Sequence, residues 1–303
     1  MNYFYLLNIY VMYLNIIIMT SKISYFLEYF KYLKNPIQCL LFKFGLKKTV
    51  VIKFKNHAQE LELSDTKSID TLMILIRQPH SEYFDKVCTD DNIITFKYGI
   101  NIYNPRFYPL NSIFWEYYDD YYPDFNVDYK NRNIIDIGAN AGDSALFFAS
   151  CGSKVWGFEP VKEYFEMANK NIQLNSDLKD NIKIFNYGVS YKKGKLNIGS
   201  MDSVSDYIQD NDSYEVDILS MDDILNHVEP DLLKMDCEGC EFEIIENCDL
   251  SMFNELIFEY HSEIVGRDHK SLVDKLESQG FKIEFFSVFG KDLKDLGFIH
   301  AYK

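Results

Sequence analysis

The chain has 303 residues, 47% hydrophobic and 25% charged, with a formal net charge of −15. That balance supplies core for one large domain, or for a domain with an accessory part. The charge argues against a polyanionic partner such as DNA or RNA, because phosphate contacts need Lys- and Arg-rich surface; a local basic patch is a separate matter. Six cysteines (39, 88, 151, 237, 240 and 248) are scattered, several in apolar runs. They form no small secreted disulfide framework and read as reduced cytoplasmic thiols.

Met1 to Ser21 carries no charge and is rich in Tyr, Leu and Ile, close to the length of a membrane span. No Lys or Arg precedes the apolar run and no small-residue cleavage site follows it, which speaks against a cleaved signal. Asn2, Asn8 and Asn15 interrupt it. Two readings of residues 1–19 stand level: a membrane or interfacial anchor, or a translated leader ahead of a start at Met19. With Lys22, Lys31 and Lys34 just beyond, an anchor would leave the rest of the chain on the cytoplasmic side. The expected location is therefore the cytoplasm, at the membrane face if residues 1–19 attach there.

Residues 20–130 read as an accessory region. Ile23 to Leu46 has helical apolar spacing interrupted at Pro36, and Thr49 to Phe54 and Leu61 to Leu63 read as short strands. Ser68 to Arg77 suits a helix, and Ile93 to Tyr103 a strand or a hairpin through Gly99. The aromatic, acidic run Phe114 to Tyr129 is either packing for the main domain, the favoured reading, or a lid over an acceptor pocket.

Residues 131–303 alternate strand and helix, as in a doubly wound, mostly parallel α/β sheet. Strands are expected at Ile134 to Ile137, Val155 to Phe158, Ile182 to Tyr187, Asp231 to Asp236 and Leu256 to Tyr260. Helices are expected at Asp143 to Ser150, from Pro160 with Val161, Phe165, Ala168 and Ile172 inward, around Phe242 and Ile245, and over Ser271 to Gln279 with Gly280 as its stop. Phe281 to Phe286 and Phe298 to Tyr302 close the sheet as a terminal antiparallel hairpin.

The loop Asp136-Ile137-Gly138-Ala139-Asn140-Ala141-Gly142-Asp143 follows the first of these strands, and Phe158-Glu159-Pro160 ends the second. That order builds a nucleoside pocket at the carboxyl ends of parallel strands. A dinucleotide loop usually carries a middle glycine for approach to pyrophosphate; this one has only Gly138 and Gly142, flanked by carboxylates. Extra carboxylates suit a cationic ligand without phosphate. S-adenosylmethionine, a sulfonium with an ammonium group, fits better than NAD.

These motifs, with Leu233-Lys234-Met235-Asp236-Cys237-Glu238-Gly239-Cys240-Glu241 and the weaker Val216 to Asp223 segment, resemble the FkbM family of S-adenosylmethionine-dependent methyltransferases. The resemblance covers roughly Asn133 to Tyr260 and departs from the family pattern at Cys237 and Cys240. It implies a Rossmann-like class I methyltransferase fold and hydroxyl acceptors on sugars, glycans, glycolipids or natural products. The expected cofactor contacts are Asp136, Gly138, Ala139, Asn140, Gly142, Glu159, Tyr187 and Gly188. Asp136 would orient the loop or accept from the methionine ammonium, and Ala139 and Asn140 would offer backbone amides. Glu159 would accept the ribose hydroxyls, and residues 186–189 would flank adenine.

Asp236, Glu238 and His261, after the later strands, are the candidate catalytic residues, with Glu259 a further one. An aliphatic hydroxyl needs a base as the new bond forms. For Glu238, a helix-start carboxylate complementing the macrodipole is nearly as good a reading. The Cys237/Cys240 spacing of a redox pair or half a zinc site reads as coincidence. A metal at Asp222, Asp223, Asp236 and His261 is less economical than helix capping by the Asp pair, so no metal is expected. The alternatives are an NAD-dependent oxidoreductase, disfavoured by the missing glycine, and a catalytically silent nucleoside-binding scaffold, disfavoured by the full acidic set.

Overall fold

The computed structural model describes residues 26–55, 60–63, 66, 69, 73, 84–88, 93–96, 100–103, 127–198, 214–287 and 292–303. The chain divides into two compact units, residues 1–99 with 104–111, and residues 100–103 with 112–303. The expected helix at Ser68 to Arg77 and most of the aromatic run from Phe114 lie outside the described residues.

In the first unit a helical stretch over 26–32 precedes helix α1 (Pro36–Lys43), with Pro36 at the first helical position, where its missing N–H costs nothing. Strands β1 (Val50–Lys53) and β2 (Glu60–Leu63) pair antiparallel. Alternation buries Val50 and Ile52 and exposes Val51 and Lys53. Strands β3 (Phe84–Cys88) and β4 (Ile93–Phe96) also pair antiparallel.

The second unit begins with the short strand β5 (Asn101–Tyr103) and contains a seven-stranded sheet. Its members are β6 (Asn133–Ile137), β7 (Lys154–Phe158), β8 (Ile182–Phe185), β12 (Leu232–Met235), β13 (Glu255–His261), β14 (Lys282–Ser287) and β15 (Leu296–Tyr302). The order is β14-β15-β13-β12-β6-β7-β8, parallel except for β15, which runs antiparallel to both its neighbours. The chain winds outward from β6 through β7 to β8, then returns to β12 on the other side. The switch point between β6 and β12 opens a crevice at their carboxyl ends. This is the order of a class I methyltransferase, with the expected terminal hairpin.

Helix α2 (Asp143–Ser150) matches its expected bounds. Helix α3 (Lys162–Leu174) starts later than expected: Val161 is its N-cap, and Pro160 stays in the loop. The inward face turns with it, burying Tyr164, Ala168, Asn171 and Ile172 rather than Phe165. Asn171 is inward because its amide serves backbone: it donates to Ala141 O and accepts from Tyr103 N–H, while Asn175 does the same for Asn101. Helices α4 (Met221–Leu225), α5 (Cys240–Asn247), α6 (Ser262–Val265) and α7 (Lys270–Ser278) complete the unit.

A small sheet not expected from the sequence is built from β9 (Gly188–Ser190), β10 (Gly194–Ile198) and β11 (Tyr214–Ser220), in the order β10-β11-β9. Ser220 and Asp223 form a capping box on α4, so the Asp222-Asp223 pair belongs to helix capping, and Lys193 pairs with Asp223. Among the described residues, no helix is long and apolar enough to cross a membrane.

One polar network ties the sheet at the amino end of its central strands. Arg132, just before β6, is ion-paired with Glu255 of β13 and donates to Asp231 O, and His300 of β15 lies 2.6 Å from the other Glu255 oxygen. Burial raises the Glu255 pKa, but His300 and Arg132 outweigh it and hold the carboxyl below its ordinary value. A depressed folded-state pKa contributes stability that is present above the unfolded-state value and lost as pH falls through the folded one. Glu255→Ala is expected to cost about 3 kcal/mol at neutral pH by stranding Arg132, with the deficit shrinking as the medium is acidified. Denaturant titrations of both proteins at neutral and acid pH check this.

Candidate active site

The first part of the site is the loop between β6 and α2. Asp136 is fully buried in β6, in register with Lys234 of β12, itself 3% exposed. Lys234 Nζ lies 3.0 Å from Asp136 Oδ1 and donates to Gly138 O at 3.0 Å, while Ser144 Oγ donates to Asp136 Oδ2. Asp136 Oδ2 is thus hydrogen-bonded, while Oδ1 faces the Lys234 charge without a hydrogen bond. Of its two expected roles, this geometry matches orientation of the loop. The sequence reading gave Lys234 no role; a lone cation in the otherwise apolar strand Leu232–Met235 was the available signal.

Gly138 has φ +76, and a Cβ there would lie 1.8 Å from Asp236 O. The close approach it allows is between the two loops at the switch point, not only toward a ligand. At Gly142 (φ +80) a side chain would press on Ala168, so its tight contact is with α3 rather than with the sheet.

The expected free amides are not free. Gly138 N–H and Ala139 N–H both donate to Phe158 O, at 3.0 and 3.1 Å, and Asn140 N–H donates to Glu159 Oε2 at 2.9 Å. The reason is the tight turn: Asn140 itself takes a left-handed φ of +44, folding the loop back onto the end of β7. What the loop leaves open is an acceptor, since Asn140 Oδ1 is buried without a hydrogen-bond partner.

Glu159, after β7, is 5% exposed. Its Oε1 accepts from Val161 N–H at 2.8 Å, so each oxygen holds one backbone amide and keeps a second lone pair. Burial pushes its carboxyl up to about 7, against the amides of Val161 and Asn140 and the charge of Lys234, which pull it down. Asn186 fixes the neighbouring turn by donating to Glu159 O and Pro160 O. Tyr187, after β8, is 37% exposed, and Gly188 is buried at the start of β9 against Ile218.

The second part is the loop from β12 to α5 and the end of β13. Glu238 (φ +57) and Gly239 (φ +116) are both left-handed and turn the chain back on itself. That turn brings Cys237 and Cys240 to a Cα separation of 5.5 Å, and they are disulfide-bonded. The expectation of a coincidental spacing between reduced thiols is corrected here; Cys39, Cys151 and Cys248 are free. The helix-start carboxylate is Glu241, fully buried, which accepts from Cys237 N–H at 2.9 Å and from Gly239 N–H at 2.8 Å. Sequence reasoning offered Glu238 for that position. With Glu241 holding the loop, the Glu238 side chain turns to His261, Oε2 to Nε2 3.4 Å.

His261, at the end of β13, has Nδ1 3.5 Å from Glu241 Oε1. Burial lowers its pKa, but Glu241, Glu238 and Asp236 more than reverse this and raise it to about 9. Burial pushes Glu238 up, opposed by His261 and reinforced by Asp236 and Glu241. Glu259 is pushed up by burial, with Asp236 adding to the shift. Ligand atoms of Asp236, Glu238 and His261 lie within 4.8 Å of one another, a spacing that one cation could bridge. The structure thus brings the three expected catalytic residues together, and Asp136, Gly138, Asn140 and Glu159 form a second, connected group.

With this geometry established, comparison with known proteins identifies the class. Residues 136–283, just under half of the chain, match the family model described as the methyltransferase FkbM domain. Over those residues the chain is similar to that methyltransferase domain, and its strand order is that of the class I fold. Similar solved structures include the methyltransferase FkbM of Methylobacillus flagellatus (17% identity, 56% of this chain and 43% of that one, TM-score 0.43). Others are the fibrillarin of Aeropyrum pernix with bound S-adenosyl-L-methionine (14%, 58% and 68%, 0.38) and the magnesium protoporphyrin IX methyltransferase of Synechocystis with bound SAM (14%, 59% and 73%, 0.37). The match spans less than half the length of the Methylobacillus protein. No curated protein matches the chain.

The buried pair at the switch point can be tested directly. Removing either charge of Asp136–Lys234 strands the other, so Asp136→Asn and Lys234→Met are each expected to cost about 3 kcal/mol or more, while the double variant recovers much of that loss. Urea denaturation of all four proteins reads the coupling; additive losses would show that the two charges do not depend on each other.

Proposed function

We propose that the domain binds S-adenosylmethionine at the carboxyl ends of β6 and β7 and methylates a hydroxyl group. The reading rests chiefly on the Asp236–Glu238–His261 cluster, set by β12 and β13 beside the Gly138 loop. The site's residues suit this cofactor by their chemistry. Open positions are acceptors: Asn140 Oδ1 for an ammonium and the spare lone pairs of Glu159 for ribose hydroxyls. Gly138, Ala139 and Gly142 shape the wall, and Tyr187 and Gly188 stand where the adenine would be flanked.

When bound, S-adenosylmethionine supplies a methyl group on a positively charged sulfur. The protein's part is alignment and proton removal. Glu238, its pKa raised by burial and its side chain still 40% exposed, serves as base for the acceptor hydroxyl. His261 stays protonated at neutral pH, so it does not take that proton; it holds Glu238 in place and keeps it ionised. Asp236 orients the acceptor. The family resemblance implies a sugar, glycan, glycolipid or natural-product hydroxyl as the acceptor, and an alcohol of high pKa needs a base.

Calorimetric titration with S-adenosylmethionine and S-adenosylhomocysteine tests the cofactor. Glu159→Ala should abolish binding. In the native protein, affinity should fall as pH drops below about 7, because protonation of Glu159 removes an acceptor that the ribose needs. Flat affinity from mildly alkaline to mildly acid pH would remove Glu159 from this role.

Turnover tests the base. Against a panel of hydroxylated acceptors, Glu238→Gln should lower kcat by about 100-fold or more while leaving S-adenosylhomocysteine binding intact. Undiminished turnover would exclude Glu238.

A further inference from the structure

The first unit carries an apolar face that its own packing leaves outside. In the stretch 26–32 Tyr29 is fully buried, as is Leu33 just beyond, whereas Leu27 and Phe30 are 62% and 46% exposed. On α1 the buried side is Cys39 and Phe42. Opposite them Ile37, Leu41 and Phe44, spaced i, i+4, i+7, form an outward stripe that Leu46 extends past the turn at Gly45. The Phe26 and Phe44 rings pack at 5.7 Å, joining the two stretches. Six large apolar side chains are therefore exposed on two stretches that meet at the Phe26–Phe44 pair, more than single scattered residues would explain.

The charge around them is opposite to that of the chain. Residues 26–48 hold five lysines (31, 34, 43, 47 and 48) against Glu28 alone, in a protein of net charge −15. All but Lys43 are exposed. Exposed cations interspersed in sequence with an apolar stripe are the pattern of a segment lying in a membrane interface, the stripe entering the acyl boundary and the lysines meeting lipid phosphates. The same lysines oppose a two-fold pairing of this face with itself, which would set like charges together. The uncharged residues 1–21 adjoin the face in sequence.

We propose that this face, Leu27 and Phe30 with the outward side of α1, seats the protein on an anionic lipid bilayer. The inference is independent of the catalytic reading and needs no methyl transfer for its test. The full chain is co-sedimented with vesicles of phosphatidylcholine alone and with phosphatidylglycerol added. Binding to the anionic vesicles, weakened by salt, is expected. The variant Ile37→Asp/Leu41→Asp/Phe44→Asp changes only exposed or partly exposed positions, and circular dichroism checks that it folds. Its vesicle partition should fall about tenfold or more, since binding scales with the apolar area inserted. Charge reversal at Lys31, Lys34, Lys47 and Lys48 should abolish the preference for anionic lipid. Three results would overturn the proposal: no vesicle binding by the native chain, equal binding by the triple variant, or a native self-association that the triple variant removes without any vesicle binding.

Discussion

Two opposite charges buried side by side in the middle of the sheet, Asp136 on β6 and Lys234 on β12, hold the site together. Each would be costly to bury alone, and the pair is tolerable only because its remaining valences are met by Ser144 from α2 and by the carbonyl of Gly138. Lys234 thus bridges the strand on one side of the switch point and the loop on the other. That fixes the height of the Gly138 loop against β12, and the contact of Gly138 with the Asp236 carbonyl leaves no room for another arrangement. The Gly138 loop and the carboxylate-bearing loop are therefore tied together.

That arrangement spends three of the loop's donors. The amides of Gly138 and Ala139 go to Phe158 O and that of Asn140 to Glu159. A helix N-terminus with free amides would recruit an anion. The buried side-chain atoms around the loop that lack a hydrogen-bond partner are oxygens, Asp136 Oδ1 and Asn140 Oδ1. On the proposed reading this is the physical reason the site suits a sulfonium with an ammonium group rather than a pyrophosphate.

The sheet was legible because buried parallel strands write themselves as short apolar runs. Asn133–Ile137, Lys154–Phe158 and Glu255–His261 fall within about a residue of their expected bounds. The small β9–β10–β11 sheet was not, because Gly194–Ile198 is mostly exposed along its length and has no apolar face to announce it. At α3, proline at a helix start suggested a boundary, yet Val161 took the cap because Glu159 pulls its N–H back into the loop. Glu159 and the Asp236–Glu238–His261 cluster were readable from strand ends. Glu241 was not, since what it holds is backbone from a folded-back segment, which a linear pattern does not display; Lys234 showed only as a lone cation in an apolar strand, without its partners.

The turn at Glu238 and Gly239 shows how neighbouring acids come to differ. Glu241 sits in the first turn of α5, where the macrodipole favours a carboxylate, and there it satisfies the amides of Cys237 and Gly239. Once that position is filled, a second carboxylate in the same turn gains nothing from the helix end. The Cys237–Cys240 bond closes the turn around Glu238 and Gly239, and the left-handed backbone at Glu238 directs its side chain away from the helix toward His261. His261 then lies between two carboxylates, one committed to structure and one still partly exposed to solvent. The imidazole takes a proton because both neighbours are negative, and its charge in turn favours the ionised form of Glu238 against the burial that opposes it. An acid committed to structure and one left partly exposed thus stand three positions apart, and the helix start determines which is which.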